Sequence, residues 1–302
     1  MTNRYYPADA SGERVSETVR TRPADTSGER VYETRPRARV AAVQMVSGPE
    51  VGPNLREAER LIEQAAARGA ELVALPEYFP IMGMNERDKV RVREEEGSGP
   101  IQDFLASTAR RLKIWIVGGS VPLVASTSDK VRNTSLVFDH TGRRVARYDK
   151  IHLFWFEMGA ESYSEPRTIE AGKDVVVFES PFGRIGLSIC YDLRFPELYR
   201  AMKDVDLILA PSAFTATTGK AHWETLIRAR AIENLAYVLA PAQGGHHANG
   251  RETNGDSMLV DPWGVIADRL PHGPGVVVGE IDRERLAQLR KSLPALEHRT
   301  LR

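Results

Sequence analysis

The single cysteine of the chain, Cys190, stands between an apolar segment and a segment that favours a helix. Residues 184–189 read Arg-Ile-Gly-Leu-Ser-Ile, and residues 191–198 read Tyr-Asp-Leu-Arg-Phe-Pro-Glu-Leu. This order predicts a sharp turn from a strand into a helix, which exposes a nucleophile and aims the next backbone N–H at a developing oxyanion. A helix that begins there also favours the thiolate over the thiol. The alternative is a buried core cysteine, because free cysteine is among the most buried residue types.

Two further residues suited to chemistry stand at the ends of predicted strands. Lys150 lies in Tyr-Asp-Lys-Ile-His-Leu-Phe, after a hairpin, and Glu77 ends the segment Glu-Leu-Val-Ala-Leu-Pro-Glu. A lysine that enters an apolar pocket near a thiolate can stabilise anionic intermediates. Taken singly, Lys150 can instead be a surface lysine whose stem covers apolar neighbours, and Glu77 a structural carboxylate. The combination with Cys190 is therefore more specific than any one of the three.

The elements that must position these residues occur twice along the chain in the same order. Each half is predicted to contain strand, helix, strand, helix, strand and hairpin, and Glu77 and Cys190 stand at carboxyl ends of strands, where ligands collect in α/β sheets. In the first half, Asn54 is predicted to cap a helix that runs to Arg68 and stops at Gly69. The corresponding ranges of the two halves are 39–45 and 184–190, 71–77 and 206–212, 114–118 and 237–241, and 135–142 and 257–264.

The strands of both halves are apolar enough to be covered on both faces. Such strands are typical of sheets that lie between other layers. Two sheets packed face to face, with helices outside, would bury both halves in one α/β fold, a four-layer α-β-β-α sandwich. The predicted folded domain covers residues 38–302.

Residues 1–37 differ in composition from the rest of the chain. A twelve-residue segment that begins at Pro7 returns almost unchanged sixteen residues later, beginning at Pro23. The segment is rich in Pro, Ser, Gly, Arg and Glu and has no sustained apolar periodicity, so that it cannot bury enough surface to offset the entropy of ordering. We predict a disordered or loosely attached N-terminal extension, with a docking segment as the alternative.

The composition of the chain excludes several classes of function. The 302 residues include 41 Lys plus Arg and 41 Asp plus Glu, and this balance argues against nucleic acid as a partner. No apolar stretch approaches the ~20 residues of a membrane helix, and the first residues lack a secretory signal. One cysteine cannot form an intrachain disulfide or a cysteine-based zinc site. We therefore expect a cytoplasmic protein that binds neither membranes nor nucleic acid.

Together, Leu-Pro-Glu77, Asp-Lys150-Ile-His-Leu-Phe and Cys190-Tyr-Asp-Leu-Arg-Phe-Pro-Glu resemble the nitrilase superfamily of carbon–nitrogen hydrolases. The similarity covers about residues 39–299. Within the superfamily, the second half is similar to the Nit branch, which holds ω-amidases and deaminated glutathione amidases. The resemblance implies the α-β-β-α fold, a Glu-Lys-Cys triad, a homodimer or higher homo-oligomer, and no metal or organic cofactor. The segments that carry the likeness to the branch are 211–214, 218–223, 228–234 and 261–264.

The resemblance also implies a role for each residue of the triad. Cys190 would attack the carbonyl carbon of a small, carboxylate-bearing linear amide, and Glu77 would act as the general base. Lys150 and the backbone N–H of Tyr191 would stabilise the oxyanion, and a thioester would form as ammonia or an amine leaves. The family often has a second glutamate between the lysine and the cysteine, and Glu165 is a better match for it than Glu161.

The substrate itself is less well determined by the sequence, because nitrilases and N-carbamoyl amide hydrolases use the same triad. A non-enzymatic scaffold is the third reading. Arginines near Cys190 could bind a substrate carboxylate, the alternative being ion pairs with neighbouring acidic residues. Tyr191, Phe214 and Thr218 are predicted to contribute to the substrate pocket. The candidate arginines are Arg194, Arg228 and Arg230, and their alternative partners are Asp192, Glu224 and Glu233.

Two places depart from the pattern of the branch. The segment after Ile-His-Leu-Phe reads Trp155-Phe-Glu-Met-Gly-Ala, where acidic residues and Pro-Gly are usual, and it is one residue short. Asp256 stands where the branch has a histidine before Ser-Met. The neighbouring His246 and His247 lie in a glycine-rich segment, for which a surface loop is a better reading than a metal site because no third ligand is evident.

Overall fold

The computed structural model describes residues 35–159 and 161–300, without the side chain of Glu161. The predicted N-terminal repeat lies outside these described residues. In chain order the elements are β1 (Arg37–Gln44), α1 (Val51–Ala67), β2 (Leu72–Ala74), α2 (Asp88–Arg91), α3 (Pro100–Leu112), β3 (Trp115–Val117), β4 (Val121–Val124), β5 (Val131–Phe138), β6 (Arg144–Asp149), β7 (Trp155–Met158), β8 (Glu161–Ser164), β9 (Val177–Ser180), β10 (Gly183–Leu187), α4 (Pro196–Met202), β11 (Leu207–Leu209), α5 (Ala216–Asn234), β12 (Tyr237–Ala240), β13 (Ser257–Val260), β14 (Ile266–Leu270), β15 (Gly275–Asp282) and α6 (Arg283–Ser292).

The strands form two large sheets of matching topology. The seven-stranded sheet has the order β15-β1-β2-β3-β5-β4, with β6 also paired to β5, and the six-stranded sheet has the order β14-β13-β12-β11-β10-β9. Each contains three consecutive parallel strands, β1-β2-β3 or β10-β11-β12, flanked by antiparallel ones. The predicted repetition of two halves is therefore confirmed. The strands β7 and β8 form a separate two-stranded hairpin.

Alternate residues of β1 show how the layers are stacked. Ala41 and Val43 pack in a cluster with residues of α1 and α3, whereas Val40 and Ala42 pack in a cluster with the second sheet. Since successive side chains of a strand point to opposite faces, the first sheet lies between its helices and the second sheet. The second sheet carries α4 and α5 on its other face. The four-layer α-β-β-α sandwich is thus confirmed.

Asn54 does not cap the first helix. The helix α1 begins at Val51, three residues earlier, and the side chain of Asn54 instead bonds the backbone N–H and C=O of Gly48, each at 2.8 Å, and the carbonyl of Pro80 at 2.9 Å. The prediction was wrong because a buried asparagine can satisfy a neighbouring loop from within the first turn. The helix α5 begins at Ala216, where the hydroxyl of Thr215 accepts a hydrogen bond from the N–H of Thr218.

The strands β4, β7, β8, β9 and β15 are absent from the prediction. The last of these, β15, pairs along its whole length with β1 and so returns the C-terminal part of the chain to the first sheet. Within residues 35–159 and 161–300, no helix is long and apolar enough to cross a membrane.

Candidate active site

Three strand ends bring the predicted triad to one place. Glu77 follows β2, Lys150 comes directly after β6, and Cys190 begins a five-residue 3₁₀ turn after β10. All three are buried, with exposed fractions of 1%, 1% and 8%. Lys150 is therefore not the surface lysine of the alternative reading. Two sheets are needed to assemble the site, since Glu77 and Lys150 belong to the first half and Cys190 to the second.

The ammonium group of Lys150 is held between two carboxylates. Its Nζ donates to Oε1 of Glu77 at 2.8 Å and to Oε1 of Glu165 at 2.9 Å. Glu165 also accepts the hydroxyl of Tyr78 at 2.6 Å and the backbone N–H of Phe154 at 2.7 Å. The structure therefore brings Glu165 together with the triad. The side chain of Glu161, the alternative, lies outside the described residues.

The charges of this cluster support one another. Burial alone would lower the pKa of Lys150, but the carboxylates of Glu165 and Glu77 outweigh burial and raise it, so that the lysine stays protonated. Burial would raise the pKa of Glu165, yet Lys150 and the hydrogen bonds from Tyr78 and Phe154 keep it below its usual value. The protonated Lys150 thus lies between the ionised Glu165 and the carboxyl group of Glu77.

The carboxylate of Glu77 is fixed by more than the lysine. The side-chain amide of Asn133, on β5, donates to Oε1 of Glu77 at 2.9 Å. The backbone carbonyl of Glu77 accepts the amide of Gln243 at 3.0 Å, which ties it to the second half. The residue that follows, Tyr78, has a φ of 56°. A left-handed conformation in a bulky residue is strained, and such strain is concentrated at functional sites.

Cys190 has the predicted strand-to-turn geometry but not the predicted ionisation. Its φ is 50°, and its backbone N–H donates to the carbonyl of Pro211 at 2.9 Å. Burial, and then the charge of Glu77, raise the pKa of its thiol well above the usual value, while Lys150 lowers it less. The expectation that a helix start favours the thiolate was therefore wrong, because a single 3₁₀ turn does not offset burial beside a carboxylate.

A small cleft of about 220 Å³ gives access to Cys190. The four residues predicted to bind the substrate all line it, and they contribute an aromatic wall, a cation and a hydroxyl. Glu77, Lys150 and Glu165 are not among the residues that line the cleft. The lining residues are Phe154, Cys190, Tyr191, Arg194, Ala213, Phe214, Thr215 and Thr218.

Arg194 differs from the two other candidate arginines. Arg228 pairs with Glu224 at 3.4 Å, and Arg230 pairs with Glu233 at 2.7 Å, as the alternative reading predicts. The guanidinium of Arg194 instead lies 5.4 Å from the ring centre of Phe214 and close to a histidine ring nitrogen. Among the residues whose side chains are described, no carboxylate forms an ion pair with Arg194. Its charge is therefore open to an anion in the cleft.

Aromatic residues around Phe154 form the opposite wall of the cleft. The ring of Phe154 packs at 5.8 Å from Phe156, 5.9 Å from Tyr163 and 5.2 Å from Tyr191. Phe156 and Tyr163 belong to the β7–β8 hairpin, which the altered segment after Lys150 forms. The hairpin therefore contacts the site through Phe154, whose ring lines the cleft and whose backbone N–H donates to Glu165.

Two other sequence features have structural explanations. His247 is buried and bonds the carbonyl of Ser47 at 2.9 Å and the hydroxyl of Thr253 at 2.8 Å, whereas His246 is exposed. The surface-loop reading therefore holds for His246 alone. Asp256, which replaces the histidine of the branch, forms an ion pair with Arg269 at 2.5 Å. Neither arrangement involves the cleft.

Four residues at the site were not predicted for it. Tyr78, Asn133 and Phe154 hold the two glutamates, and Asp192, considered only as a partner for Arg194, is fully buried two residues after Cys190. Tyr78 and Asp192 are adjacent or nearly adjacent to triad residues, which is a usable signal. Asn133 lies far from Glu77 along the chain, and only the pairing of β5 with its neighbours brings the two together.

Comparisons with known proteins agree with this geometry. The sequence matches the carbon-nitrogen hydrolase family over residues 39–291. A deaminated glutathione amidase of Synechocystis sp. is 44% identical over 265 residues, which cover 86% of this chain and 97% of that protein. The crystal structure of the C. elegans NitFhit protein aligns with a TM-score of 0.81 and 36% identity, covering 88% of this chain and 66% of that one. Saccharomyces cerevisiae Nit3, of branch 10 of the nitrilase superfamily, aligns with a TM-score of 0.80 and 29% identity, covering 89% and 98%.

Proposed function

The chain belongs to the carbon-nitrogen hydrolase family, and we propose that it is an amidase for a small linear amide that carries a carboxylate. Deaminated glutathione and the ω-amides of α-keto acids are substrates of this type. The observation that carries the proposal is the buried Glu77–Lys150–Glu165 cluster behind Cys190, together with an arginine on the same cleft that has no described carboxylate partner. The 44% identity to a deaminated glutathione amidase supports this substrate class.

In the proposed first step, Cys190 forms a thioester with the acyl part of the amide. Its sulfur attacks the carbonyl carbon as Glu77 takes the thiol proton, since the raised pKa of the thiol leaves no standing thiolate. The oxyanion is stabilised by Lys150 and by the backbone N–H of Tyr191. Glu77 then returns the proton to the leaving nitrogen, and the C–N bond breaks to release ammonia or an amine.

In the second step, water replaces the amine. Glu77 removes a proton from the water as its oxygen attacks the thioester carbon, and the same donors stabilise the second oxyanion. The C–S bond breaks, the carboxylic acid leaves, and Cys190 regains its proton. Glu165 holds Lys150 in place through both steps, since its own charge is fixed by Tyr78 and Phe154.

The cleft supplies a reason for the carboxylate on the substrate. Arg194 offers a guanidinium fork, which binds carboxylates with two parallel hydrogen bonds. Phe214 and Tyr191 lie beside it and cover the carbon chain between the carboxylate and the scissile amide. A substrate of this kind is bound at one end by Arg194 and attacked at the other by Cys190.

Ammonia release from a panel of compounds tests the proposal. The panel contains ω-amides of α-keto acids, deaminated glutathione as an N-substituted amide read out by amine release, matched nitriles, and N-carbamoyl compounds. We expect wild type to hydrolyse the carboxylate-bearing amides and Cys190→Ala to lose at least about 10⁴-fold in kcat. Arg194→Gln should raise KM for these amides while amides without a carboxylate are affected little.

Three outcomes would contradict the proposal. Hydrolysis of nitriles or carbamoyl compounds without amide hydrolysis would assign the triad to another reaction of the family. An iodoacetamide-inert Cys190 in the native protein, with no turnover of any compound, would favour a scaffold. Residual turnover by Cys190→Ala equal to wild type would remove the cysteine from the mechanism.

We also propose that the enzyme acts in the cytoplasm as a homodimer or a higher homo-oligomer. Ile232, Trp263 and Val265 support an interface, because these apolar side chains are 47%, 56% and 54% exposed on α5 and the β13–β14 turn. Exposed apolar groups that lie together mark association sites. Sedimentation velocity of wild type and of Trp263→Ser tests this, with a smaller species expected for the variant.

A further inference from the structure

Asp192 lies in a position that no catalytic role requires, two residues after Cys190. Its side chain is fully buried and accepts four hydrogen bonds. Oδ1 accepts the backbone N–H of His152 at 3.0 Å and lies 2.8 Å from Nδ1 of the same residue. Oδ2 accepts the hydroxyl of Tyr148 at 2.6 Å and the backbone N–H of Ile189 at 2.9 Å.

The four donors come from both halves of the domain. Tyr148 and His152 stand two residues before and two residues after Lys150, whereas Ile189 directly precedes Cys190. One carboxylate thus joins the segment that carries the lysine to the turn that carries the nucleophile. The described hydrogen bonds of Lys150 itself lead to Glu77, Glu165, Asn133 and Gly172, which all precede the strands of the second sheet.

From this bridge we infer that Asp192 is a positioning residue, which sets the separation between Lys150 and the sulfur of Cys190. The inference rests on the proposed function, in which the lysine must reach the oxyanion that forms next to the sulfur. A displacement of about 1 Å between such groups can cost about 100-fold in rate. Asp192 touches neither the substrate nor the reacting atoms.

The shape of the carboxylate explains why asparagine cannot replace it. Each oxygen of Asp192 has two donors directed at it, and an asparagine side chain has an NH₂ group in place of one oxygen. Whichever way the amide turns, its NH₂ group would face a backbone N–H, that of His152 or that of Ile189, which would lose its acceptor, and one side of the bridge would loosen. Asp192→Asn therefore loosens the bridge with no loss of volume.

A second buried aspartate provides a matched control. Asp139, in the turn between β5 and β6, is 1% exposed and accepts the N–H groups of Thr141 and Arg143 and the hydroxyl of Thr141. It lies at the end of the hairpin away from Lys150. Asp139→Asn breaks a comparable set of hydrogen bonds without touching either catalytic segment.

The experiment compares the two variants in melting temperature, in kcat and KM for the amide, and in the rate of Cys190 alkylation by iodoacetamide. We expect similar losses in melting temperature. Asp192→Asn should lose about 100-fold in kcat with KM changed less than about threefold, and its alkylation should slow about tenfold or more. Asp139→Asn should keep kcat, KM and the alkylation rate within about twofold of wild type.

Equal kcat and equal alkylation rates in the two variants would overturn the inference, because Asp192 would then be only structural. If Asp192→Asn does not fold, Tyr148→Phe carries the test, since it removes one donor and leaves the carboxylate in place. A roughly tenfold lower kcat at unchanged KM is then expected, and a wild-type kcat would overturn the inference. If wild type hydrolyses no amide but Asp192→Asn is still alkylated more slowly than wild type, the positioning role of Asp192 is supported and only the proposed function is rejected.

Discussion

Lys150 and Glu165 are fifteen residues apart in the sequence and in direct contact in the structure, yet the chain between them lies largely at the surface. The two ends are buried, and each polar group there has several partners. In the β7–β8 hairpin, by contrast, Trp155 and Met158 are 57% and 54% exposed. Phe154 lies at the boundary between the two regions. The charged groups of Lys150 and Glu165 are each held by several contacts. We therefore expect substitutions of the exposed hairpin residues to leave these charged groups in place.

The largest expected effect comes from removing the cation of the buried cluster. Lys150→Met leaves the carboxylates of Glu77 and Glu165 buried beside each other without their partner. Breaking a buried ion pair in this way costs about 3–5 kcal/mol in the free energy of unfolding, and loss of an oxyanion donor costs about 10²–10³-fold in kcat. Urea unfolding and amide hydrolysis measure the two effects.

The exposed Lys173 provides a control for this substitution. Lys173→Met should change neither quantity. The double variant Lys150→Met/Glu165→Gln should recover part of the lost stability, because it removes one of the two uncompensated charges. If the double variant is less stable than the single one, the charges of the cluster are not the reason for the loss, and the contrast with the hairpin fails.

An intermediate effect concerns the pH dependence of stability. The pKa of the Cys190 thiol is raised in the folded protein, by burial and by Glu77, so that only the unfolded chain loses this proton above about pH 8.5. The contribution of the buried thiol is therefore present below that pH and is lost as the pH rises toward the folded value. Relative to Cys190→Ala, wild type should lose about 1.4 kcal/mol of unfolding free energy per pH unit in this range.

Urea titrations of both proteins between pH 7.5 and pH 10 measure this difference. Parallel curves for wild type and Cys190→Ala would mean that water reaches the thiol as freely as it reaches the hairpin. The contrast between the buried cluster and the exposed hairpin would then not extend to Cys190.

The smallest effect is expected in the hairpin itself. The double variant Trp155→Ser/Met158→Ser should change the free energy of unfolding by less than about 0.5 kcal/mol, because both side chains are exposed. Its kcat/KM for a small amide should stay within about threefold of wild type. Phe154→Ala, only one residue away, should lower kcat/KM at least about tenfold, since its ring lines the cleft. Equal losses in both variants would place the boundary of the site farther out, within the hairpin.

Glu77, Lys150 and Cys190 could be proposed from the sequence because each stands at the end of a predicted element, and because their segments together resemble those of a known family. The repeated order of elements also predicted two matching sheets. The bridging strand β15 could not be predicted, since its partner β1 lies more than two hundred residues earlier. The residues that support the site share this difficulty. Asn133 contacts Glu77, which follows another strand, and nothing in its own segment shows this partner. Asp192 stands close to Cys190, but its partners Tyr148 and His152 lie in the other half of the domain.

The ionisation of the Cys190 thiol is a second property that could not be predicted from the sequence. A cysteine at the start of a helix suggests a thiolate, but the balance depends on how deeply the sulfur is buried and on which charge lies nearest. Glu77 is 1% exposed, and Cys190 is 8% exposed. These quantities are properties of the assembled halves, so the sequence led to a wrong prediction for the ionisation of the Cys190 thiol.

The pairing of β1 with β15 has a consequence for the folding of the chain during its synthesis. About 230 residues separate Gln44 from Gly275, and ribosomes add roughly 5–20 residues per second. One edge of β1 therefore stays unpaired for on the order of 10–50 seconds, until β15 has been synthesised. During this time its backbone groups can pair with another strand. Since β1 also carries apolar residues on both faces, the nascent chain is open to aggregation through this strand until β15 has been made.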